Sequence, residues 1–482
     1  MNSTWLLSEA DEAVGATADA QVVDHALLKL GELMAAVETR PWLLAVGLHQ
    51  PHLPFVAPQR SYAPYSDTAS VALARHGYCP WGLPTKAFST VEIDRFLDVP
   101  RWFAGENARC NESMDDASAR RLRRGYYASV TYVDEQIGRL LQGLRDSSGG
   151  AAWNTTVTCI WSDHGFELGE HGSWSKHTLW HVTTRIPLLL RVPGTTPAAG
   201  AISEGLVEAL DIMPTLWHAA TGRTLDTCPG ERPWEPRNCT EGVSFLPLAA
   251  EPHSASGWKR LVLAQQLRKQ SGTMGYSMTT HDGVRFTAWV ETADETANLT
   301  WGDQGLAWRL REESGAPAWE LYDHRVDPGE TRNLACSVCG WVRPAGVPPP
   351  DELFETLKLA VRGGRPPDGW PFFGSPPPSF PHSPPLAPST TLAPCLPQTS
   401  PPSGAQTSST LRPPTSPPQP PSSPPQSPSS PPPSQDGTSA FVIVGGVLIG
   451  VPLLGVSLVL MSCRLRRWAG GETKRPRESA RV

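Results

Sequence analysis

The sequence predicts an α/β fold, with a mostly parallel sheet flanked by helices and a smaller antiparallel subdomain behind it. Three observations predict it. Two apolar runs, Trp42–Leu48 and Val157–Trp161, are continuous enough to be strands buried on both faces, and each stops abruptly on polar residues. Helical spacing of apolar residues recurs over 22–37 and 117–146, so the order from 22 to 222 is helix, strand, loop, helix, strand, loop, strand, helix. From about residue 260 the pattern changes to short runs separated by turn residues, as antiparallel strands require.

Taken in order, Val23, Leu27, Leu30, Leu33, Met34 and Val37 keep the helical period, and Asp24 suits a helix N-terminus. Pro41 precedes the first strand, Trp42–Leu48, which runs into His49-Gln-Pro-His-Leu-Pro-Phe55. Residues 56–112 are loop-like. Tyr126, Val130, Val133, Ile137, Leu140, Leu141 and Leu144 mark the clearest helix, with Arg120–Arg124 expected on its solvated side. Gly149-Gly150 breaks the chain before Val157–Trp161, and Ile186–Pro193 is a third strand. Residues 204–220 read as a helix that Pro214 kinks or restarts and Gly222 ends. Leu261–Ala264, Gly275–Thr280, Arg285–Val290 and Trp319–Tyr322 are the strands of the second subdomain, with a turn at His281–Gly283.

Composition divides the chain further. Fifty-one prolines are about twice the usual share, and most lie after residue 345. Residues 371–438 are nearly all Pro, Ser, Thr, Gln and Gly, and cannot bury enough apolar surface to fold. Phe441–Met461 carries no charge and is long enough to span a bilayer as a helix. The seven Arg/Lys against two Glu in 464–482 would put that end in the cytosol. The expected organisation is an α/β domain over 1–255, a subdomain over 256–345, a linker or stalk over 346–438, a transmembrane helix over 439–463 and a basic tail over 464–482. A net charge of −6 without a basic stripe gives no reason to expect nucleic acid as a partner. Five sequons, at Asn2, Asn111, Asn154, Asn238 and Asn298, together with the membrane span, point to a single-pass type I protein with its α/β domain extracellular or lumenal. Met1–Ala10 has neither the basic start nor the apolar core of a signal peptide.

The chemistry is concentrated at the two strand ends. In open α/β sheets ligands bind at the carboxyl ends of strands. Asp163 and His164 are adjacent there and can both reach one metal ion; Lys176, twelve residues past His164, would bring a cation to the same loop. Imidazole in this pair leaves zinc open on spacing alone. Asp-His-Gly by itself is also an ordinary turn. Cys336-Ser-Val-Cys339 reads as a local disulfide or free thiols, because no second Cys pair accompanies it.

The longer string Ser162-Asp-His-Gly-Phe-Glu-Leu-Gly-Glu-His-Gly172 resembles the metal-site motif of the sulfatases, a branch of the alkaline phosphatase superfamily. Four further patches in the right order strengthen it: Leu44–Phe55, Tyr127–Asp134 with Gly138–Leu141, Asp211–Leu216, and Glu320–Asp323 with Asp327–Glu330 and Asn333-Leu334. The resemblance implies an alkaline-phosphatase-like fold and hydrolysis of sulfate esters, in the branch of the family acting on 2-O-sulfated uronic acid residues of sulfated glycans. It implies Asp163 and His164 as ligands of one divalent cation, Ca²⁺. It implies His49 as a sulfate-binding group or proton donor to the leaving alcohol, and Lys176 as neutralising sulfate charge. His177 stands beside them as a further substrate-binding candidate. His52 either holds the loop or enters the site, while structural or rim positions are expected for His171 and His181. The resemblance also pairs Cys228 with Cys239 in a disulfide.

The sequence departs from the family in the residues expected from the first part of the domain. Sulfatases use a cysteine in Cys-x-Pro-Ser-Arg, converted to formylglycine, and none of the nine cysteines lies in that motif. The early Asp-Asp metal pair is absent too. The expectation is therefore an N-terminally truncated sulfatase, inactive as written, with a long apolar sheet edge left uncovered. Two alternatives compete: a non-catalytic glycan-binding ectodomain, and a phosphatase or phosphodiesterase of the same superfamily.

Overall fold

The computed structural model describes residues 4–7, 17–35, 41–89, 110, 114–228, 239–254, 258–268, 272–292, 306–307, 317–363, 440–444 and 456–462. Helix α1, Ala18–Ala35, buries Val23, Ala26, Leu30 and Leu33, the three-four spacing that makes one apolar stripe. This stripe packs against strand β2, Trp42–Leu48, whose Trp42, Leu44, Val46 and Leu48 alternate into the core. Helix α2, Asp116–Asp146, starts where Asp115 accepts the Ser118 N–H at 2.9 Å. It contributes Val133, Leu140 and Leu144 to the same cluster. A short N-terminal strand, β1 (Thr4–Leu7), lies parallel to β3 (Phe55–Pro58).

The central sheet has five strands in the order β13, β2, β14, β4, β7. Here β4 is Thr156–Ser162, β7 is Leu188–Arg191, β13 is Ala440–Val444 and β14 is Val456–Ser462. Strand β13 is parallel to β2, whereas β14 is antiparallel to both β2 and β4, and β7 is antiparallel to β4. The sheet is thus mixed, not mostly parallel as expected. The link from β4 to β7 holds only the hairpin β5 (Glu167–Leu168) and β6 (Trp174–Ser175), a 3₁₀ turn at Glu170–Gly172 between them and one helical turn, His181–Thr184. Without a crossover helix the chain turns back antiparallel.

Of the transmembrane helix expected at Phe441–Met461, residues 445–455 lie outside the described residues. Its described parts are strands, and among the described residues no helix is long and apolar enough to cross a membrane. An uncharged run rich in Val and Leu suits a doubly buried strand as well as a membrane helix, and sequence period does not separate the two. With β13 on one side and β14 on the other, β2 has no uncovered edge. Residues 371–438 and the basic tail lie outside the described residues, as do the sequons at Asn2, Asn111, Asn238 and Asn298; Asn154 is exposed.

The C-terminal subdomain is an antiparallel sheet of β8 (Leu261–Arg268), β9 (Thr273–Thr280) and β10 (Val284–Thr292), with β11 (Leu306–Ala307) and β12 (Trp319–Asp323) along the far side of β10. Its four expected strands are all present. Helix α4, Pro350–Gly363, closes its core with Leu353 and Leu357 against Phe286 and Met278, so the linker expected from 346 begins with folded structure. Helix α3, Ile212–Thr221, has Pro214 in its first turn after a short 3₁₀ segment, which is the restart the sequence implied.

The arginines of α2 are a further correction. Arg123 is buried and donates to the Leu168 carbonyl at 2.7 Å; Arg124 Nε donates to the Tyr65 carbonyl at 2.6 Å; Arg120 donates to the Ala69 carbonyl at 3.1 Å. A long loop without a ladder leaves carbonyls that need donors, and guanidinium groups supply them. Cys79–Cys110 also ties this loop, alongside Cys228–Cys239 and the local Cys336–Cys339.

Candidate active site

Strands β2 and β4 run the same way, and Leu48 and Ser162 both stand level with Val456 of β14. The loops leaving β2 and β4 therefore emerge at one end of the sheet. They form a cleft lined by Pro51 and His52 from the first loop, Asp163 and His164 from the second, and Tyr126 and Phe166 as walls.

The first loop is pinned from below. Asp19, in the opening turn of α1, accepts the backbone N–H of His49 at 2.7 Å and of Gln50 at 2.9 Å. Burial raises the Asp19 carboxyl above its ordinary value, against the lowering effect of those two bonds. His49 and His52 lie ring to ring, centroids 4.8 Å apart. His52 Nδ1 donates to the Leu53 carbonyl at 2.6 Å, so its Nε2 is the acceptor facing Lys176 Nζ at 2.8 Å. His52 thereby takes both positions open to it, holding the loop and lining the cleft.

The second loop is equally constrained. Ser162 Oγ donates to the His164 carbonyl at 2.7 Å, and Asp163 Oδ1 accepts the His164 N–H at 3.0 Å. His164 Nδ1 donates to the Gly165 carbonyl at 2.7 Å, which leaves Nε2 as the lone-pair nitrogen, 3.7 Å from Asp163 Oδ2. Gly165 donates to the Thr183 carbonyl at 2.8 Å, and a Cβ at this position would lie 2.1 Å from the Val182 carbonyl oxygen. Only glycine permits that approach. The walls are aromatic: Tyr126 stacks on Phe166 at 5.5 Å, and Phe55 meets Tyr126 edge-on at 5.6 Å. Burial pushes the Tyr126 hydroxyl up to about 12, so it stays a neutral hydrogen-bonding group.

Lys176, only 8% exposed, follows β6 and meets the cleft through His52, without lining it itself. His49 does not line the cleft itself but touches it through His52. His177 is half-buried and is not among the lining residues either. His171 is structural: Glu167 lies 3.4 Å from Nδ1, and Nε2 donates to the Gly329 carbonyl at 2.9 Å. The structure thus brings together His49, His52, Asp163, His164 and Lys176. Sequence reading missed Asp19, whose signal was an acid in the first helical turn, and Tyr126, which its period hid among core residues.

Asp163 and His164 can offer a cation one carboxylate and one imidazole. A Ca²⁺ site takes six to eight oxygens, and among the described residues no group of three or more His, Cys, Asp or Glu could hold a metal. The donor set therefore fits part of a metal site and does not specify Ca²⁺. Of the cysteines that are described and not in a disulfide, Cys159 is in β4, and burial pushes its thiol up to about 12, so it is no nucleophile.

The sulfatase family model matches residues 2–222. Iduronate 2-sulfatase of Homo sapiens is 30% identical over 329 residues, covering 58% of this chain and 57% of that protein. The enzyme of the same name from Mus musculus is 30% identical over 371 residues, 67% of this chain and 63% of that one. The chain thus spans about three fifths of the length of these curated relatives. A solved structure of a protein in complex with its substrate D-glucosamine-2-N,6-O-disulfate aligns at 17% identity and a TM-score of 0.45, covering 71% of this chain and 70% of that one.

Proposed function

We propose that the chain is a member of the sulfatase family, whose model matches residues 2–222, and a sulfuric ester hydrolase whose site binds the sulfate of a 2-O-sulfated uronic acid in a sulfated glycan. The observation that carries this is the buried Lys176 ammonium, 2.8 Å from Nε2 of His52, which lines the same cleft as Asp163 and His164. A buried cation held by a neutral histidine presents fixed positive charge to an incoming anion and needs no reorganisation to do so. Lys176 binds a sulfate oxygen. His52, its tautomer fixed by Leu53, keeps the ammonium aimed. His49, its ring tilted against that of His52, donates a proton or hydrogen bond to the leaving sugar oxygen. The Tyr126–Phe166 wall excludes water from one side.

The Asp163 carboxylate would repel a sulfate unless a cation lay between them, which supports a divalent metal held in part by Asp163 and His164. Such a metal, when bound, would polarise the sulfate oxygens. No residue of this chain is assigned as the nucleophile, because Cys-x-Pro-Ser-Arg is not present in it. That departure favours a second reading, a glycan-binding protein without turnover. The three disulfides among the described residues, and the exposed Asn154 sequon, support an extracellular or lumenal setting.

The test uses the full chain with a 2-O-sulfated uronate disaccharide, an aryl sulfate and an aryl phosphate. Binding of the disaccharide in preference to the aryl phosphate, weakened by Lys176→Ala, is expected, and sulfate release would require a nucleophile within this chain. Tight binding without release leaves the binding reading in its place. Hydrolysis of the phosphate ester alone would assign the site to phosphoesters and overturn both.

A further inference from the structure

A second group of imidazoles lies behind the Asp163–Gly165 loop, where the helical turn His181–Thr184 meets the C-terminal subdomain. His181 Nδ1 and His324 Nδ1 face each other at 3.4 Å, with ring centroids 4.8 Å apart and planes inclined at 65°. The proton positions are set by Glu330, which is buried and adopts a left-handed backbone conformation at φ 52. Its Oε1 lies 2.8 Å from His324 Nε2, and its Oε2 accepts the His181 backbone N–H at 2.9 Å. His324 therefore donates from Nε2 to the carboxylate, and its Nδ1 carries a lone pair aimed at His181.

At 3.4 Å the two ring nitrogens stand at the long limit of a hydrogen bond. Two nitrogens bound at 2.0–2.1 Å to a tetrahedral ion stand about 3.3–3.4 Å apart, which is the separation seen. The carboxylate behind His324 is the support that metal-bound histidines generally have. We propose that His181 and His324 are the two protein ligands of a site for a Zn²⁺-like divalent ion, completed by solvent and distinct from the Asp163–His164 cleft. Half-burial of His181 and the 13% exposure of the His324 side chain leave room for that solvent. Arg185 and Arg285 oppose a cation here, and the Glu330 carboxylate, itself paired with Arg285, offsets part of that charge.

The experiment titrates Co²⁺, then Zn²⁺, into the full chain carrying Asp163→Asn and His164→Ala, so that cleft ligands do not contribute. One equivalent of Co²⁺ with the intense visible absorption of a tetrahedral site, displaced by Zn²⁺, is expected. Adding His181→Asn should weaken binding at least about tenfold, the lower end of what losing even a supporting contact costs at a metal site. Unchanged affinity in that variant, or no stoichiometric binding in its parent, overturns the proposal. Should a variant fail to fold, X-ray absorption at the zinc edge of the unmodified chain with one equivalent of Zn²⁺ decides: two imidazole ligands are expected, and one or none refutes the site.

Discussion

Replacing Glu330 by Gln should destabilise the C-terminal subdomain by about 3 kcal/mol, and the structure supplies the reasoning. Glu330 and Arg285 are each only 1% exposed and form a direct ion pair. Arg285 also donates to the Leu179 carbonyl and to Thr287 Oγ1, both at 2.7 Å, and its second terminal nitrogen lies 3.6 Å from Glu320 Oε2. Removing one partner of a buried pair costs roughly 3–5 kcal/mol, because the other charge stays buried. Glu320 remains to offset part of the Arg285 charge, which puts the expectation at the lower end. That is a change of roughly 10²-fold in the unfolding equilibrium. Urea unfolding at pH 7, followed by tryptophan fluorescence, reads it directly. The pH dependence gives a second check. Burial would raise the Glu330 carboxyl, but Arg285 and then His324 outweigh it and hold the group well below its ordinary 4.5. A depressed folded-state value gives stability that is complete above the unfolded value and disappears as pH falls through the folded one. The glutamine variant should therefore lose less stability on acidification than the parent. A loss under about 1 kcal/mol at pH 7 would refute the reasoning and leave Glu320 as sufficient counter-charge.

Other outcomes are expected. Lys176→Ala should weaken binding of a sulfated disaccharide by at least about tenfold, and slow any turnover by roughly 10²–10³-fold; calorimetry and sulfate release measure these. Gly165→Ala should cost on the order of 1–3 kcal/mol, and should also impair ligand binding, since the new Cβ would sit 2.1 Å from the Val182 carbonyl oxygen. The Glu167–His171 pair predicts a pH slope of its own. Burial pushes the Glu167 carboxyl up to about 7, so it contributes stability below its unfolded value of 4.5 that is lost as pH rises through about 7. Glu167→Gln should remove on the order of 3 kcal/mol of that fall in stability between pH 5 and 8, as urea midpoints across the range would report.

How much of this was legible follows from how local each feature is. Strand β2 and helix α2 are written in apolar period, which needs only a few neighbouring residues to read. The cleft was legible because both its loops follow such strands and carry histidine, aspartate and lysine in short order. Direction was not: whether Leu188–Arg191 lies parallel or antiparallel to β4 depends on the path between them, and no local period encodes that path. The Val- and Leu-rich stretch around 441–461 fits a membrane helix and a doubly buried strand alike, so only its placement in the sheet decides. Arg123 and Arg124 look solvated from the helical pattern, because the carbonyls they serve come from a distant loop. Cys79–Cys110 and the Arg285–Glu330 pair likewise join residues that nothing nearby in the chain connects.

The contacts of Arg285 and Glu330 have a bearing on how the chain can be divided. Arg285 holds the Leu179 carbonyl, Glu330 holds the His181 backbone, and Thr183 in the same turn receives the Gly165 N–H. The segment that follows Lys176 is thus scaffolded by side chains encoded more than a hundred residues later. A fragment ending near residue 255 would keep every residue of the cleft and lose the frame that spaces them. The seam between the two lobes is a feature of chain order; mechanically, the second lobe is the back wall of the first one's reactive loop, and grafting either onto a foreign partner would have to carry that wall along.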